Sequence, residues 1–143
     1  MGLTVRDARP GDAEAIADLL GQLGYPTEPR AVESRLERLI IVGDRVLVAE
    51  LEEQVVGLAQ LHVSPSIEYE QPAAKISALV VDESHRGAGI GRALVDAMEA
   101  EARARRSALL FLTTAAHRED AHEFYRRLGL EETGRRFAKR LDS

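Results

Sequence analysis

The spacing of apolar residues changes several times along the chain, and each change marks a predicted element. Leu3–Arg9 alternates apolar and polar positions, which predicts an edge or near-edge strand that Pro10 ends. Two segments with helical spacing follow, the first capped by Asp12 and the second beginning near Pro29. Their apolar stripes are Ala13, Ile16, Ala17, Leu20 and Leu23, and then Val32, Leu36, Leu39 and Ile40. Because both segments are rich in charge, they could be surface arms as easily as parts of the core.

The middle of the chain changes to the shorter period of strands. Arg45–Leu51 and Gln54–Val63 flank the turn Glu52-Glu53, and this arrangement predicts an antiparallel hairpin. A polar loop with two prolines follows at residues 64–74, and it is a candidate wall for a substrate. Lys75–Asp82, which is rich in aliphatic and β-branched residues, then predicts a further strand.

A helix between two strands is predicted next. The helix runs from about Gly91 to Arg106, with the apolar stripe Ile90, Leu94, Ala97 and Met98. Ala108–Thr114 is a nearly continuous apolar run, which is typical of a strand buried on both faces. Because this run and Lys75–Asp82 flank one helix, we expect them to be parallel strands of a βαβ crossover.

The C-terminal part of the chain completes the predicted fold. His117–Leu128 reads as a fourth helix that Gly129 ends, and Glu131–Leu141 as one more strand or hairpin arm. The chain shows no internal repeat, low-complexity segment or linker. We therefore predict an α/β fold with about four helices, in one domain over residues 1–143. Its sheet should be mixed and mostly antiparallel, with a central parallel βαβ crossover.

Composition narrows the function class. The 143 residues are 45% hydrophobic and 30% charged, which suits one globular domain with a real core. Cysteine is absent, so disulfides, thiolate metal sites and a cysteine acyl-enzyme are excluded. The net charge of −5 disfavours nucleic-acid binding through a broad basic face and would suit a cationic amine. No apolar run approaches the roughly 20 residues of a membrane span, and Met1-Gly2-Leu3 begins no secretory signal, so we expect a cytoplasmic protein.

The strongest chemical signal is a glycine-rich loop between the strand Lys75–Asp82 and the third helix. Gly87, Gly89 and Gly91 allow the main chain to approach a ligand closely. The first turn of the helix offers unpaired N–H groups and the positive end of its dipole, and Arg86 and Arg92 add charge at both edges. The stretch predicts a site for a phosphorylated ligand, although a glycine-rich turn that binds nothing is the alternative.

Spacing selects among the phosphate-binding loops. A Walker A loop is excluded because Gly91 is followed by Arg92-Ala93, and the dinucleotide fingerprint lacks its third glycine. The remaining pattern is R-x-x-G-x-G, formed by Arg86, Gly89 and Gly91. It resembles the acetyl-CoA pyrophosphate loop of the GNAT superfamily of N-acetyltransferases, and the predicted order of elements matches that family along almost the whole chain.

The resemblance implies a set of ligand contacts and a co-substrate. The family binds acetyl-CoA without a metal, and its central strand offers backbone groups to the pantetheine arm and the acetyl carbonyl. Carried over to this sequence, the strand contacts fall on Leu79, Val80 and Val81. The pyrophosphate contacts fall on Arg86, Gly87, Ala88, Gly89, Ile90, Gly91 and Arg92.

A second segment, AHEFYRRLGL at residues 121–130, resembles the family pattern AxxFYxxxGF, with Leu130 in place of the usual phenylalanine. The matched tyrosine is Tyr125, which in many relatives protonates the departing thiolate. A free tyrosine phenol, with a pKa of about 10, carries its proton at neutral pH and can donate it. From periodicity alone, Tyr125 could equally be a core residue of the fourth helix beside Phe124.

The general base is less clear, because the carboxylate that many relatives carry on the central strand is missing. Ile76, Ser77 and Ala78 occupy that region here. The candidates are His62 and Glu68, followed by Glu70 and His117. Each has a plainer reading as a surface or helix-flanking residue. We read Asp82 and Glu83 as turn acids and His85 as a loop residue.

The acceptor is the least determined part of the function. Many relatives have asparagine where this chain has Arg118, which puts a usual contact to the pantetheine region in doubt. The C-terminal segment is similar to the aminoalkylphosphonate acetyltransferase branch, and a phosphonate could bind arginines, although these could be ordinary surface charges. Those available are Arg118, Arg126, Arg127, Arg135 and Arg136.

The sequence therefore predicts an acetyl-CoA-dependent N-acetyltransferase that acts on a small primary amine by direct attack. The alternatives are an acetyltransferase of protein lysines or N-termini, and a non-catalytic acyl-CoA-binding module. The family habit also makes a homodimer an option.

Overall fold

The computed structural model describes residues 2–113 and 119–142, which fall into two compact units divided after Phe111. The first unit contains five strands, three helices and two 3-10 turns, Pro10–Asp12 and Glu83–His85. Its strands are β1 (Leu3–Asp7), β2 (Arg45–Leu51), β3 (Gln54–Ser64), β4 (Ala73–Val81) and β5 (Leu109–Phe111). Its helices are α1 (Ala13–Leu23), α2 (Pro29–Ile41) and α3 (Ile90–Ala104), and the second unit contains α4 (Glu119–Arg127).

The five strands form one sheet in the order β1-β2-β3-β4-β5. Neighbouring strands from β1 to β4 are antiparallel, whereas β4 and β5 are parallel on either side of α3 in the sequence. The predicted hairpin turns at Glu52 and Glu53, whose φ angles of 49° and 66° are those of a tight two-residue hairpin. The predicted fold class is therefore confirmed.

One extra residue interrupts the pairing of β3 with β4. Gln60 lies opposite Ala78 and Leu61 lies opposite Ile76, so Ser77 has no counterpart on β3 and forms a β-bulge. Cross-strand partners share a face of the sheet, and the bulge therefore changes which β4 residues point to which side. Lys75, before the bulge, lies on the same face as Ala78 and Val80, after it.

Helices cover both faces of this sheet. On one face, α1 and α2 bury a cluster with strand residues of β2, β3 and β4: Ala13, Ile16, Ala17, Leu19, Val32, Leu36, Val46, Val48, Leu58 and Val80. These two helices are thus part of the core, although Ile40 of the predicted α2 stripe is 61% exposed. On the other face, α3 buries the predicted Ile90, Leu94 and Met98.

Gly57 of β3 lets α3 approach the sheet closely. A Cβ at this position would lie 2.9 Å from Leu94 Cδ1 and 3.1 Å from Ile90 Cγ2. Both distances are shorter than ordinary carbon contacts, so a side chain here would force the Leu94 and Ile90 side chains to shift. Gly57 therefore helps to fix where the helix begins.

Asp12 does not cap α1 with its side chain, contrary to the sequence prediction. Its carboxylate instead accepts two hydrogen bonds from the Arg6 guanidinium, both 2.9 Å long, and one of 2.8 Å from the Arg9 backbone N–H. The Arg6 bonds, more than any other contact, hold the pKa of Asp12 below its ordinary value. Asp12 thus ties β1 to the turn before α1.

Asp12→Asn should lower the free energy of unfolding by about 1–3 kcal/mol at neutral pH, because it breaks charge-assisted bonds of a nearly buried pair. Since the folded pKa of Asp12 is lowered, its stabilisation is complete above the unfolded pKa of about 3.9 and is lost as pH falls through the folded value. Urea unfolding at pH 7 and pH 3 measures this difference. Asp96→Asn on the exposed face of α3 is the matched control. Equal losses in the two variants at pH 7 would contradict the assignment.

Two sequence predictions near the C-terminus are wrong. The strand expected over Ala108–Thr114 is confined within the described residues to β5, where Leu109 and Phe111 are exposed rather than buried. In the described sheet β5 is the edge strand, so only one side of it is paired. The strand expected over Glu131–Leu141 is absent from the structure, and the segment is exposed throughout. Its clustered cations leave no alternating apolar face that a sheet could bury.

In the second unit, α4 ends where the sequence predicts. Gly129 has a φ of 89°, and the N–H of Leu130 donates to the carbonyl of Tyr125. The expected start at His117 lies outside the described residues. Within the described residues, no helix has the length and apolar content that crossing a membrane requires.

Candidate functional site

The glycine loop leads from the end of β4 into α3. Gly87 and Gly89 have φ angles of 84° and 82°, a region that L side chains rarely adopt, and Gly89 is the N-cap of α3. The first α3 hydrogen bond runs from Ala93 N–H to Gly89 C=O, so the N–H groups before Ala93 have no partner within the helix. The loop thus presents donors and the positive end of a 15-residue helix.

The surface of this loop is open and cationic. A Cβ at Gly87 or Gly89 would meet no atom within 4 Å, so a ligand can approach the main chain there. Arg86 and Arg92 are exposed at the two edges and have no ion-pair partner among the described residues. Ile90, which is 2% exposed, anchors the first helical turn beneath the loop. The residue types and backbone are compatible with a phosphate group, and the site itself stays a prediction.

A hydrogen-bonded cluster holds the turn just before this loop. Gln22 of α1 donates to Asp82 Oδ1 at 2.8 Å and accepts the Glu83 backbone N–H at 2.9 Å. His85 Nδ1 lies 2.8 Å from Asp82 Oδ2. The Gln22 hydrogen bond, and then the one from His85, lower the pKa of Asp82. The predicted turn residues Asp82, Glu83 and His85 therefore anchor the loop to α1.

The ladder between β4 and β5 is short within the described residues, which leaves backbone groups of β4 without a ladder partner there. It pairs Ala73, Ala74 and Lys75 with β5 and stops there, whereas β4 continues to Val81. In the described part of the chain, the stretch from Ile76 to Val81 has no ladder partner on the β5 side. The predicted contact residues Leu79, Val80 and Val81 lie in this stretch, directly before the loop. An extended ligand arm could hydrogen-bond to backbone groups there.

His62 has a defined partner in the structure. Its Nδ1 lies 2.6 Å from Oδ1 of Asp44, whose side chain is only 4% exposed, whereas the His62 side chain is 46% exposed. The other Asp44 oxygen accepts a bond of 2.8 Å from Gln60 Nε2. A proton on Nδ1 would be donated to this buried carboxylate and would leave Nε2 with a free lone pair.

The face of the sheet on which His62 lies follows from the pairing. Gly57 faces α3, so alternation places Leu58, Gln60 and His62 on the opposite face, beneath α1 and α2. His62 pairs with Lys75, six residues before Val81 on β4, or about 20 Å at roughly 3.3 Å per residue. A ligand arm that runs from the loop along β4 would therefore extend toward His62.

Of the other predicted base candidates, the described residues Glu68 and Glu70 lack such a partner. Glu68 and Glu70 are exposed in the loop between β3 and β4, and the Glu68 backbone N–H donates to Ser66 Oγ at 3.2 Å. His117 lies outside the described residues. No group of three His, Asp or Glu side chains is arranged as metal ligands would be in the part of the chain that the structure describes.

Tyr125 lies on α4 in the second unit and is half-buried. Its ring packs edge-to-face against Phe124, with centroids 5.4 Å apart. Of the predicted arginines, Arg118 lies outside the described residues, and Arg126, Arg127, Arg135 and Arg136 are exposed. Arg126 lies 3.5 Å from Glu132, as an ordinary surface ion pair would.

Sequence reasoning missed three residues of this site: Asp44, Gln60 and Gln22. In the sequence, Asp44 looks like a turn residue after Gly43. Its partner His62 lies 18 positions away, on strand β3. The only signal is the alternation of polar Gln60 and His62 within an otherwise apolar strand. Gln22 carries no signal, because its two partners in this site, Asp82 and Glu83, lie 60 and 61 positions away.

Comparison with known proteins identifies a matching family model. Residues 13–130 match the model of the acetyltransferase (GNAT) family. An aminoalkylphosphonate N-acetyltransferase of Salmonella typhimurium is 38% identical over 88 residues, which are 62% of this chain and 57% of that relative. The match thus spans little more than half of the relative's length.

Solved structures share the fold. A transcriptional regulator from Bacillus halodurans is 27% identical with a TM-score of 0.89, and the match covers 97% of this chain and 99% of that one. A Trypanosoma brucei acetyltransferase is 25% identical with a TM-score of 0.84, over the same shares of the two chains.

Proposed function

Because this chain belongs to the acetyltransferase (GNAT) family, we propose that it transfers an acetyl group from acetyl-CoA directly to a small primary amine. The observation that carries the proposal is the loop Arg86–Arg92. It combines two glycines of positive φ, α3 N–H groups without a partner in the helix, and two exposed arginines that have no ion-pair partner among the described residues. These features suit a pyrophosphate.

The donor thioester would lie along the part of β4 that has no ladder partner on the β5 side among the described residues. Backbone groups of Leu79, Val80 and Val81 would hold the pantetheine arm, and the loop Arg86–Arg92 would hold the pyrophosphate at its end. Gln22 of α1 would support this loop through its hydrogen bond to Asp82. The thioester supplies an activated acetyl carbon, and the protein's part is to position it and move two protons.

The first proton belongs to the acceptor, since an alkylamine is mostly protonated at neutral pH. We assign its removal to Nε2 of His62, because the bond to Asp44 engages Nδ1. Glu68 is the weaker candidate, since no described side chain orients it. The free amine then attacks the acetyl carbon, so that an N–C bond forms and the C–S bond breaks. The nitrogen loses its second proton as the amide forms, and Tyr125 would give its phenolic proton to the departing thiolate. The proton released from the nitrogen would pass through solvent and restore the phenol.

The acceptor class follows from the surroundings of His62. Lys75 lies beside His62 on the same face, is half-buried and has no ion-pair partner among the described residues. An ammonium in that setting favours a ligand that carries an anionic group. The Salmonella typhimurium relative is named for aminoalkylphosphonates, which combine an amine with such a group. We therefore place aminoalkylphosphonates and amino acids first among the acceptors to test.

The test is a screen for release of the CoA thiol from acetyl-CoA in the presence of aminoalkylphosphonates, amino acids, polyamines, aminoglycosides and peptides. Acetylation of lysine peptides alone would favour the protein-acetyltransferase alternative. Binding of acetyl-CoA without turnover of any amine would favour a non-catalytic module, an alternative that the similarity to a transcriptional regulator supports.

With a confirmed amine, initial rates should show sequential kinetics, because the chain has no cysteine to hold the acetyl group. Double-reciprocal plots at several acetyl-CoA concentrations should intersect. Parallel lines, or an acetylated enzyme isolated by mass spectrometry in the absence of amine, would contradict direct transfer.

We also expect the protein to act in the cytoplasm, without nucleic acid or metal, as a monomer or a homodimer. Light scattering across a range of protein concentrations decides between the two assembly states.

A further inference from the structure

We infer that Asp44 is a positioning residue, which holds His62 in the tautomer that has a proton on Nδ1 and a free lone pair on Nε2. The inference deepens the proposed function, because it explains how His62 would act as the general base. Asp44 itself would touch neither substrate.

The geometry of Asp44 is that of an orienting carboxylate. Oδ1 lies 2.6 Å from His62 Nδ1, and Oδ2 accepts a bond of 2.8 Å from Gln60 Nε2. Both oxygens are therefore engaged, and the side chain is 4% exposed. A buried carboxylate can only accept hydrogen bonds when ionised, so the imidazole atom that faces it must be the donor. In neutral His62 the second nitrogen, Nε2, then has no proton.

The main chain around Asp44 is also fixed from two sides. The Asp44 backbone N–H donates to the carbonyl of Leu39 at 2.9 Å, which ties the turn to the end of α2. Arg105, next to the C-terminus of α3, donates to the carbonyl of Gly43 at 2.9 Å and binds Glu101 at 2.7 Å. The backbone that carries the carboxylate is thus held by bonds to two helical regions.

Charge near the pair is balanced in a way that suits this role. Among the described residues, Asp44, from the turn between α2 and β2, bonds to His62, and Lys75 of β4 is its cross-strand partner. The carboxylate stabilises an imidazolium after His62 has accepted a proton. Lys75 lies on β4, on the other side of β3 from Asp44, and would bind an anionic group of the substrate.

Asp44→Asn is the test variant, because asparagine has almost the shape of aspartate and lacks its charge. The amide can offer its NH₂ to His62 Nδ1, which would move the ring proton to Nε2 and block the base. We expect kcat with a confirmed amine to fall roughly 10- to 100-fold, a part of the roughly 10²- to 10⁴-fold contribution of a general base. The KM for acetyl-CoA should not change.

The decisive measurement is the tautomer of His62 from long-range ¹H–¹⁵N spectra, which needs no turnover. His62→Gln assigns the signal among the four histidines. We expect protonated Nδ1 in the wild type at pH 8 and a shift toward protonated Nε2 in Asp44→Asn. The matched control is Asp82→Asn, which changes the other Asp–His pair and should leave the His62 signal in place.

Each outcome decides the inference. Protonated Nε2 in the wild type would overturn it, even if Asp44→Asn failed to fold. Wild-type kcat in a folded Asp44→Asn variant would do the same, as would normal turnover in His62→Gln. Absence of CoA release with every amine would refute the proposed function instead, and the tautomer would still report whether Asp44 orients the ring.

Discussion

Gly89→Glu should abolish most acetyl-CoA binding, with a loss of affinity of roughly 100-fold or more, or about 2.7 kcal/mol. The φ of Gly89 is 82°, and a Cβ there would project into open space above the start of α3. A glutamate would therefore direct a carboxylate into the region assigned to the pyrophosphate. Like charges would then meet where unpaired N–H groups now favour an anion.

The matched control for this prediction is Gly89→Gln, which introduces a side chain of the same size without the charge. Both variants share the backbone cost of a non-glycine residue at positive φ, of about 1–2 kcal/mol. The difference between them therefore isolates the electrostatic effect. Gly21→Glu on α1, at an open position without positive φ, controls for added charge elsewhere.

Isothermal titration with acetyl-CoA and a thermal melt of each variant make the measurement. A folded Gly89→Glu protein that binds acetyl-CoA as tightly as the wild type would refute the loop as the binding site. Equal losses in the Glu and Gln variants would show that backbone geometry, rather than charge, controls affinity.

Tyr125→Phe should reduce kcat by roughly 10²- to 10⁴-fold and leave the affinity for acetyl-CoA nearly unchanged. The substitution removes one oxygen and keeps the ring, so the edge-to-face contact with Phe124 should survive. If the hydroxyl protonates the departing thiolate, its loss affects the transition state and not the ground state.

The experiment compares kcat, KM and melting temperature with a confirmed amine. Tyr25→Phe, at a tyrosine that is 65% exposed after α1, is the control and should retain wild-type kcat. A change confined to KM would assign Tyr125 to substrate binding. Wild-type kcat, when chemistry limits the rate, would leave Tyr125 as a packing residue and solvent as the acid.

The parts of the fold that could be predicted are those in which one local pattern decides the structure. The β2–β3 hairpin and the parallel pair around α3 follow from apolar periodicity and element order, as does the loop from its glycines. Asp44 could not be found in this way, because its role arises from a contact with His62 across the sheet. The alternation of residues also did not predict the bulge at Ser77, since β4 is mostly apolar on both faces.

Failures at the C-terminus have a different origin. The strand expected over Glu131–Leu141 would need a partner strand to satisfy its backbone, and no local pattern in a sequence supplies one. The prediction for Ala108–Thr114 assumed that an apolar run is covered on both faces, whereas β5 is an edge strand of the described sheet. The second error concerns a tertiary partner, whereas the first also reflects the lack of an alternating apolar face over Glu131–Leu141.

The extra residue Ser77 shifts the alternation of β4 by one position, so odd positions before it share a face with even positions after it. Before Ser77, the even positions Ala74 and Ile76 are buried, and Lys75 lies on the face of the sheet that carries His62. After Ser77, the even positions Ala78 and Val80 lie on that face. Deleting Ser77 would remove only the residue without a counterpart, so Ile76 would stay opposite Leu61 and Lys75 opposite His62. Pairing Ser77 with Leu61 would instead shift every residue before it by one position. Lys75 would then enter the packed α3 side, and Ile76 would lie next to His62. A segment of β4 taken from a relative will therefore place its side chains on the same faces only when its residues keep the same cross-strand partners on β3.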